Sequence, residues 1–241
     1  MGALHKGHIS LLADAKTKTD VVVCSIFVNP TQFNDPKDFE KYPRPIERDI
    51  QMLEQAHCDV LFNPPVEEIY APDEAPWHLD IGPLESLLEG EFRPGHYQGV
   101  TQVVFKLFDI VKPDMAFFGQ KDYQQVLIIT RMVQLLHLPV KIVTCPIIRE
   151  NDGLAMSSRN AYLSAAERAE APRLHRVLQA VKGGMHPDEA FAQLSAAGWK
   201  PDYVEVRRRD DLGVPDSRDK ERVVLAAARL GATRLIDNLE Y

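Results

Sequence analysis

The sequence predicts an α/β fold: a doubly wound domain built on a parallel sheet, followed by a smaller α+β domain. Three features lead there. The apolar runs Asp20-Val-Val-Val-Cys-Ser-Ile-Phe-Val28 and Cys58-Asp-Val-Leu-Phe62 suit strands buried on both faces. They alternate with segments apolar at helical spacing, as βαβ units require. After Arg149 the order changes to helices followed by strands, the pattern of a separate α+β unit.

Ile9, Leu11, Leu12 and Ala15 give a first helix from about Gly7 to Thr17. A strand over Asp20–Val28 follows, then a Pro-rich loop from Asn29 to Pro45. Ile46, Ile50 and Leu53 among charges predict a helix over Ile46–His57, and Cys58–Phe62 a second strand stopped by Pro64 and Pro65. Trp77–Ile81 reads as a short strand, and Gly90–His96 as a turn-rich loop. Tyr97–Val111 reads as a helix ending before Pro113. Met115–Phe118 is a strand, Gly119–Tyr123 opens a helix running to about His137, and Val140–Ile148 is a strand interrupted by Pro146. Beyond Arg149 come a polar loop over Ala155–Asn160, helices over Ser164–Gly183 and His186–Ala197, and strands at Tyr203–Val206, Arg222–Ala228 and Arg234–Asn238. The boundary falls near Ile147, giving domains 1–147 and 148–241.

With 241 residues, 45% of them hydrophobic, the chain can bury a substantial core. A formal net charge of −7 argues against a general nucleic-acid binder. No apolar run approaches the roughly 20 residues that span a bilayer, so no membrane partner is expected. Cys24, Cys58 and Cys145 are far apart and lack metal-ligand spacing. They read as reduced, mostly buried thiols of a cytoplasmic protein.

The chemistry begins at the opening stretch, Met1-Gly-Ala-Leu-His-Lys-Gly-His8. His5 and His8 share one face where a loop becomes a helix. A helix start carries unpaired N–H groups and the positive dipole end, which attract anions such as phosphate. Gly7 permits close approach of a ligand to the backbone. The stretch resembles the H-x-G-H signature of a nucleotidyltransferase superfamily that includes class I aminoacyl-tRNA synthetases. Taken alone, it also reads as two polar residues at a helix cap.

In open α/β sheets ligands bind beyond the carboxyl ends of the strands, and several polar clusters fall there. Asn29-Pro-Thr-Gln32-Phe33 follows the first strand. Gly119-Gln-Lys121-Asp-Tyr-Gln-Gln125 follows the Phe117–Phe118 strand, and Ile148-Arg149 ends the last parallel one. A lysine after a glycine turn at a helix start is a natural phosphate partner, and Gln125 faces the same side four residues on. Each cluster has an ordinary reading too: a solvated helix start, an exposed amide, a Ser-rich linker at Met156–Arg159, and a surface turn ordered by Arg93 and His96. Their joint occurrence in this order tips the balance.

That order resembles the pantoate–β-alanine ligase (pantothenate synthetase) family. The resemblance covers nearly the whole chain. It rests on Met1–His8, Phe27-Val-Asn-Pro-Thr-Gln-Phe33, Arg93-Pro-Gly-His-Tyr-Gln-Gly-Val100, Phe118-Gly-Gln-Lys-Asp-Tyr-Gln-Gln125 and Met156-Ser-Ser-Arg-Asn160. The last resembles the K-M-S-K-S loop of the superfamily, with Arg159 in place of its final Lys. The resemblance implies a Rossmann-like nucleotide domain with a C-terminal lid domain, a homodimer, and ATP with Mg²⁺. It implies condensation of pantoate with β-alanine through pantoyl adenylate, giving pantothenate, AMP and pyrophosphate.

The same resemblance implies roles. His5 and His8 would bind phosphate, with His8 the proton donor, and Lys121 would hold the transferring phosphate. Ser157, Ser158 and Arg159 would grip pyrophosphate. Gln32 and Gln125 would hold pantoate, in a pocket walled by Met1 and Phe33. Met1, Gly2, Ala3, Leu4, Lys6, Gly7, Gly119, Gln120, Asp122, Ile148 and Met156 would line the nucleotide site. Gln120 stands where many relatives carry an acid. Met1 already lies inside the first motif, so the family's preceding strand is expected to be missing. That loss would expose two sheet edges and lower stability or activity. Two other readings stay open: another adenylate-forming or cytidylyl-transferring enzyme of the superfamily, and a nucleotide-binding fragment without catalysis.

Overall fold

The computed structural model describes residues 2–34 and 36–241. The chain forms two compact units. One runs to Gln120 and resumes over Gln125–Cys145; the other comprises Lys121–Gln124 and Pro146–Tyr241.

The first unit begins with α1 (Lys6–Lys16), β1 (Val23–Ser25) and a 3₁₀ turn at Pro30–Gln32. It continues through α2 (Pro36–Lys41), α3 (Ile46–Gln55), β2 (Val60–Phe62), α4 (Val66–Ile69), a 3₁₀ turn at Gly82–Glu85 and α5 (Glu89–Phe92). Then come α6 (His96–Val111), β3 (Met115–Gly119), a 3₁₀ turn at Gln120–Asp122, α7 (Tyr123–Leu135) and β4 (Lys141–Cys145). β1 pairs with β2 in parallel (Val23↔Val60, Ser25↔Phe62), and β3 with β4 in parallel (Met115↔Lys141, Gly119↔Cys145). Helices connect the strands within each pair, as parallel pairing demands. Among the described residues no ladder joins the two pairs.

Packing continues where hydrogen bonding stops. Leu4, Leu12, Ala15, Val22, Cys24, Ile26 and Leu53 form one buried cluster, and Phe117 of β3 packs against it. A second cluster surrounds α6 and α7, with Ile128, Ile129 and Met132 fully buried.

β1 is shorter than the apolar run predicts because side chains take over its ends. The Asp59 carboxylate accepts from the Val22 amide at 2.7 Å, and the Asn63 amide donates to the Ile26 carbonyl at 2.7 Å. The Asn29–Pro45 segment is likewise not all loop, since Pro30–Gln32 and Pro36–Lys41 turn helically. The strand expected at Trp77–Ile81 is absent. Gln98 supplies what a partner strand would have: its side chain accepts from the Leu79 amide at 3.0 Å and donates to the Leu79 carbonyl at 2.9 Å.

The second unit holds a 3₁₀ turn at Ser158–Tyr162, then α8 (Ala165–Glu170), α9 (Arg173–Lys182), α10 (Pro187–Ala196), β5 (Lys200–Arg208), β6 (Arg222–Leu230) and β7 (Thr233–Glu240). The strands form an antiparallel sheet in the order β5-β6-β7. Leu174, Leu178, Leu194, Trp199, Val224, Ala226 and Ala228 lie at the centre of its core. The single helix expected over Ser164–Gly183 is two. Pro172 has no amide to donate and its ring opposes a continuous helix, so α8 stops and α9 starts anew. Ser164 and Glu167 close a capping box at the start of α8. Among the described residues no helix is long and apolar enough to cross a membrane.

Gln98→Ala leaves both polar groups of Leu79 without their partner. Urea unfolding should show a loss of about 1–3 kcal/mol. A variant as stable as the parent would mean that the 77–81 segment is held by something else.

Candidate active site

The opening loop turns into α1 through its own histidines. His5 is the N-cap residue in an extended conformation, and its Nδ1 accepts from the Gly7 amide at 3.1 Å. In return the His5 amide donates to Nδ1 of His8 at 3.3 Å. This is a capping box built from imidazoles in place of the usual hydroxyl and carboxylate. A ring nitrogen that accepts a hydrogen bond carries no proton, so each neutral ring has its N–H on Nε2. Their centroids lie 4.0 Å apart. The helix thereby presents two neutral N–H donors together with the positive end of its dipole.

The loop before the histidines is held from α3. The Asp49 carboxylate, 1% exposed, accepts from the Leu4 amide at 2.7 Å. Sequence reasoning missed Asp49, although Ile46, Asp49, Ile50 and Leu53 share one helical face and a carboxylate on an apolar stripe was the available signal. Ala3 sits at φ +48°, in the left-handed region that a side chain disfavours. Gly2, Ala3, Leu4 and His5 thus lead directly into the first turn of α1, which holds Lys6, Gly7 and His8. Met1 lies outside the described residues.

Gln32 ends the Pro30–Gln32 turn, clamped from three sides. The Asn29 side chain donates to Gln32 Oε1 at 3.2 Å and to the Gly99 carbonyl at 3.0 Å. Nδ1 of His96 is 2.8 Å from the Gln32 carbonyl and donates to it. Tyr70 donates to Asn29 Oδ1 at 2.6 Å, and burial pushes its phenol above the ordinary value. Gly99 makes the contact possible. A Cβ there would lie 2.4 Å from the Thr31 carbonyl oxygen and 2.8 Å from the Gln32 nitrogen. His96 is buried and structural toward Gln32, not a residue of a surface turn. Phe33 packs edge-on against Phe39 and Tyr42 at 5.3 and 5.6 Å. Gln125 is half-buried in the second turn of the chain beyond Gly119, on α7.

Gln120–Asp122 wind as a 3₁₀ turn directly after β3 and before α7. Lys121 Nζ lies 3.3 Å from the Asp122 carboxylate, a part-exposed pair of small energetic weight. In the second unit, Ile148 and Met156 are brought together: the Met156 amide donates to the Ile148 carbonyl at 2.9 Å, and Arg149 bridges Ala155. The expected polar loop at Ala155–Asn160 is a capped turn, since Ser157 Oγ accepts from the Arg159 amide at 3.3 Å. Ser157, Ser158 and Arg159 therefore sit on defined backbone, each half-buried. Sequence reasoning also missed the partners beneath this turn, Asp237 and Asn238 on β7.

Thiol chemistry is a poor fit. Burial pushes Cys24 up to about 12 and Cys145 up to about 11, so neither is a thiolate at neutral pH. The first unit instead offers imidazole N–H donors and side-chain amides, and the second an ammonium and a serine–arginine turn, residue types whose chemistry suits phosphates and a hydroxy acid.

Comparison with known proteins gives the same chemistry a family. The sequence profile of pantoate-beta-alanine ligase matches residues 1–240. The pantothenate synthetase of Shewanella oneidensis is 48% identical over 250 residues, which take in 100% of this chain and 89% of that protein. That of Neisseria meningitidis serogroup C is 49% identical over 249 residues, 100% and 90% of the two chains. Among solved structures, pantothenate synthetase from Thermus thermophilus superposes with a TM-score of 0.93 at 43% identity, covering 99% of this chain and 90% of its own. A pantoate-beta-alanine ligase from Francisella tularensis, complexed with beta-gamma ATP and beta-alanine, gives 0.83 at 38% identity, covering 99% and 86%.

Gly99→Ala drives a methyl into the backbone at Thr31 and Gln32. Chemical unfolding should show a loss of about 1–3 kcal/mol. An unchanged midpoint would mean that the turn and α6 separate at no cost.

Proposed function

This chain belongs to the pantoate-beta-alanine ligase family, and on that premise we propose how its residues join (R)-pantoate to β-alanine at the expense of ATP. The match along residues 1–240 is the observation that carries the reading. The pantoate carboxylate attacks the α-phosphate in line, giving pantoyl adenylate and pyrophosphate. The β-alanine amine then attacks the acyl carbon of the mixed anhydride, loses a proton, and AMP departs as pantothenate forms.

In the first step negative charge builds on the α-phosphate and on the leaving pyrophosphate. Catalysis is then positioning and charge stabilisation. His5 and His8 donate from Nε2 to phosphate oxygens, and His8 serves as the proton donor. Their reciprocal cap supports the hydrogen bonds to phosphate, because with each Nδ1 accepting a backbone N–H the ring's own N–H lies on Nε2. Lys121 stabilises the transferring phosphate. Ser157, Ser158 and Arg159 hold the pyrophosphate. Gly2, Ala3, Leu4, Lys6, Gly7, Gly119, Gln120, Asp122, Ile148 and Met156 line the nucleotide site. Gln32 and Gln125 bind the hydroxyls and carboxylate of pantoate, with Phe33 as an apolar wall. An amide both donates and accepts, which suits a hydroxy acid better than a choline or amino-acid substrate.

Magnesium would accompany ATP. Among the described residues no group of three or more His, Cys, Asp or Glu is placed to hold a metal ion. Asp122, the carboxylate of the Lys121 turn, would help to hold the ion beside the phosphate oxygens and water, an oxygen donor set that suits Mg²⁺. When bound, the ion neutralises phosphate charge. The reading also includes a homodimer in the cytoplasm, with residues 1–147 binding ATP and pantoate and residues 148–241 forming the lid domain. The free thiols of Cys24, Cys58 and Cys145 suit a reducing compartment.

Exchange of labelled pyrophosphate into ATP should require pantoate and proceed without β-alanine. Exchange driven by an amino acid in place of pantoate would overturn the assignment. Lys121→Ala should slow pantoate-dependent exchange by about 10²–10³-fold, the scale of losing one charge-stabilising donor. Near-parental exchange in that variant would remove Lys121 from the mechanism.

A further inference from the structure

We propose that Asp237 and Asn238, consecutive residues of β7, are positioning residues for adenylate formation. They index the Lys121 turn and the Ser157–Arg159 turn to one rigid strand. The proposal rests on the reading above, in which those two turns handle phosphate.

Both residues are buried, at 4% and 2% exposure, although Asp and Asn are rarely found so deep without a specific partner. As neighbours on a strand they point to opposite faces. Asn238 Nδ2 donates to the main-chain carbonyl of Lys121 at 3.0 Å. Asp237 receives a fork from Arg149, Nη1 at 2.6 Å and Nη2 at 2.9 Å. The same guanidinium donates to the carbonyls of Gly153 at 3.1 Å and Asn238 at 3.2 Å. Arg149 in turn fixes its own segment. It bridges Ala155, and the Ile148 carbonyl beside it holds the Met156 amide, one residue before Ser157. Nδ1 of His175, on α9, lies 3.4 Å from the same Asp237 oxygen that Nη1 of Arg149 reaches.

The strand is a suitable reference. Asp237 pairs with Ala226 and Asn238 with Leu225, inside a ladder running from Thr233 to Glu240. Further along, Glu240 accepts from the Tyr123 hydroxyl at 3.0 Å, so β7 also holds the far side of the Lys121 turn. Thus two phosphate-handling segments distant in sequence are fastened to adjacent residues of one strand. A bidentate, largely desolvated Arg–Asp pair gives direction as well as energy. Displacement of a phosphate ligand by about 1 Å is enough to cost about a hundredfold in rate.

The test uses the full chain and three near-isosteric variants. Asn238→Asp turns the donor facing the Lys121 carbonyl into an acceptor. Asp237→Asn weakens the fork, and Arg149→Lys keeps the charge but loses the fork. Pantoate-dependent pyrophosphate exchange should fall by about tenfold to a hundredfold in kcat, with KM for pantoate unchanged within about twofold. Reaction of preformed pantoyl adenylate with β-alanine should change by less than about threefold, since it needs no grip on pyrophosphate. Amide hydrogen exchange should quicken at Lys121–Tyr123 in Asn238→Asp, and at Glu150–Ser157 in Asp237→Asn and Arg149→Lys. Equal losses in both half-reactions, or unaltered amide exchange in these segments, would overturn the proposal. Absence of pantoate-dependent exchange in the parent protein would sink the functional reading instead, while the amide measurement would still decide whether β7 anchors the two turns.

Discussion

A buried backbone N–H or C=O without a partner costs about 1–3 kcal/mol, and the functional turns of this chain are held by side chains that meet that demand. Asp49 serves the Leu4 amide ahead of the histidines. Asn29 and Gly99 seat the turn that carries Gln32. Asn238 holds the carbonyl of Lys121, and Arg149 those of Gly153 and Asn238. The backbone groups served at Leu4, Lys121 and Gly153 lie outside the ladders and the long helices. Each turn is short, and its geometry comes from one or two buried polar residues instead of from regular repetition.

This division follows from the two kinds of sheet. The parallel pairs of the first unit are only three and five residues long, so most backbone beside them has no strand partner. Asp59, Asn63 and Gln98 fill that role for Val22, Ile26 and Leu79. In the second unit the antiparallel strands run eight or nine residues, and β7 can act as a fixed reference. Loops that carry chemistry then inherit their precision from a rigid element.

Much of the candidate site was legible because its chemistry requires particular residue types at short range. Two histidines around a glycine at a helix start, a lysine after Gly119, and a Ser-Ser-Arg run are local patterns, and the order of five such patterns carried the family resemblance. The supporting residues were not legible in the same way. Asp49 lies in α3, and Asp237 and Asn238 in the last strand, far along the chain from the turns they hold. Nothing local distinguishes a buried acid from a solvated one, except its place on an apolar face, as for Asp49. The same blindness produced the errors in secondary structure. Trp77–Ile81 has strand-like composition, but at Leu79 its backbone pairs with a glutamine side chain instead of a strand. Ser164–Gly183 has a helical pattern, but Pro172 divides it.

By itself the sequence determined the alternation of helices and apolar strands, the change of architecture after Arg149, and the candidate set of imidazole, lysine, serine–arginine and amide side chains. These follow from periodicity and from side-chain chemistry, both of which act over a few residues. Only the tertiary structure decided the tautomers of His5 and His8, the burial of Asp49 and His96, and the joining of Lys121 and Arg149 to one strand. Those depend on which distant groups meet in the folded chain, and a hydrogen bond between them exists only once the intervening loops have closed.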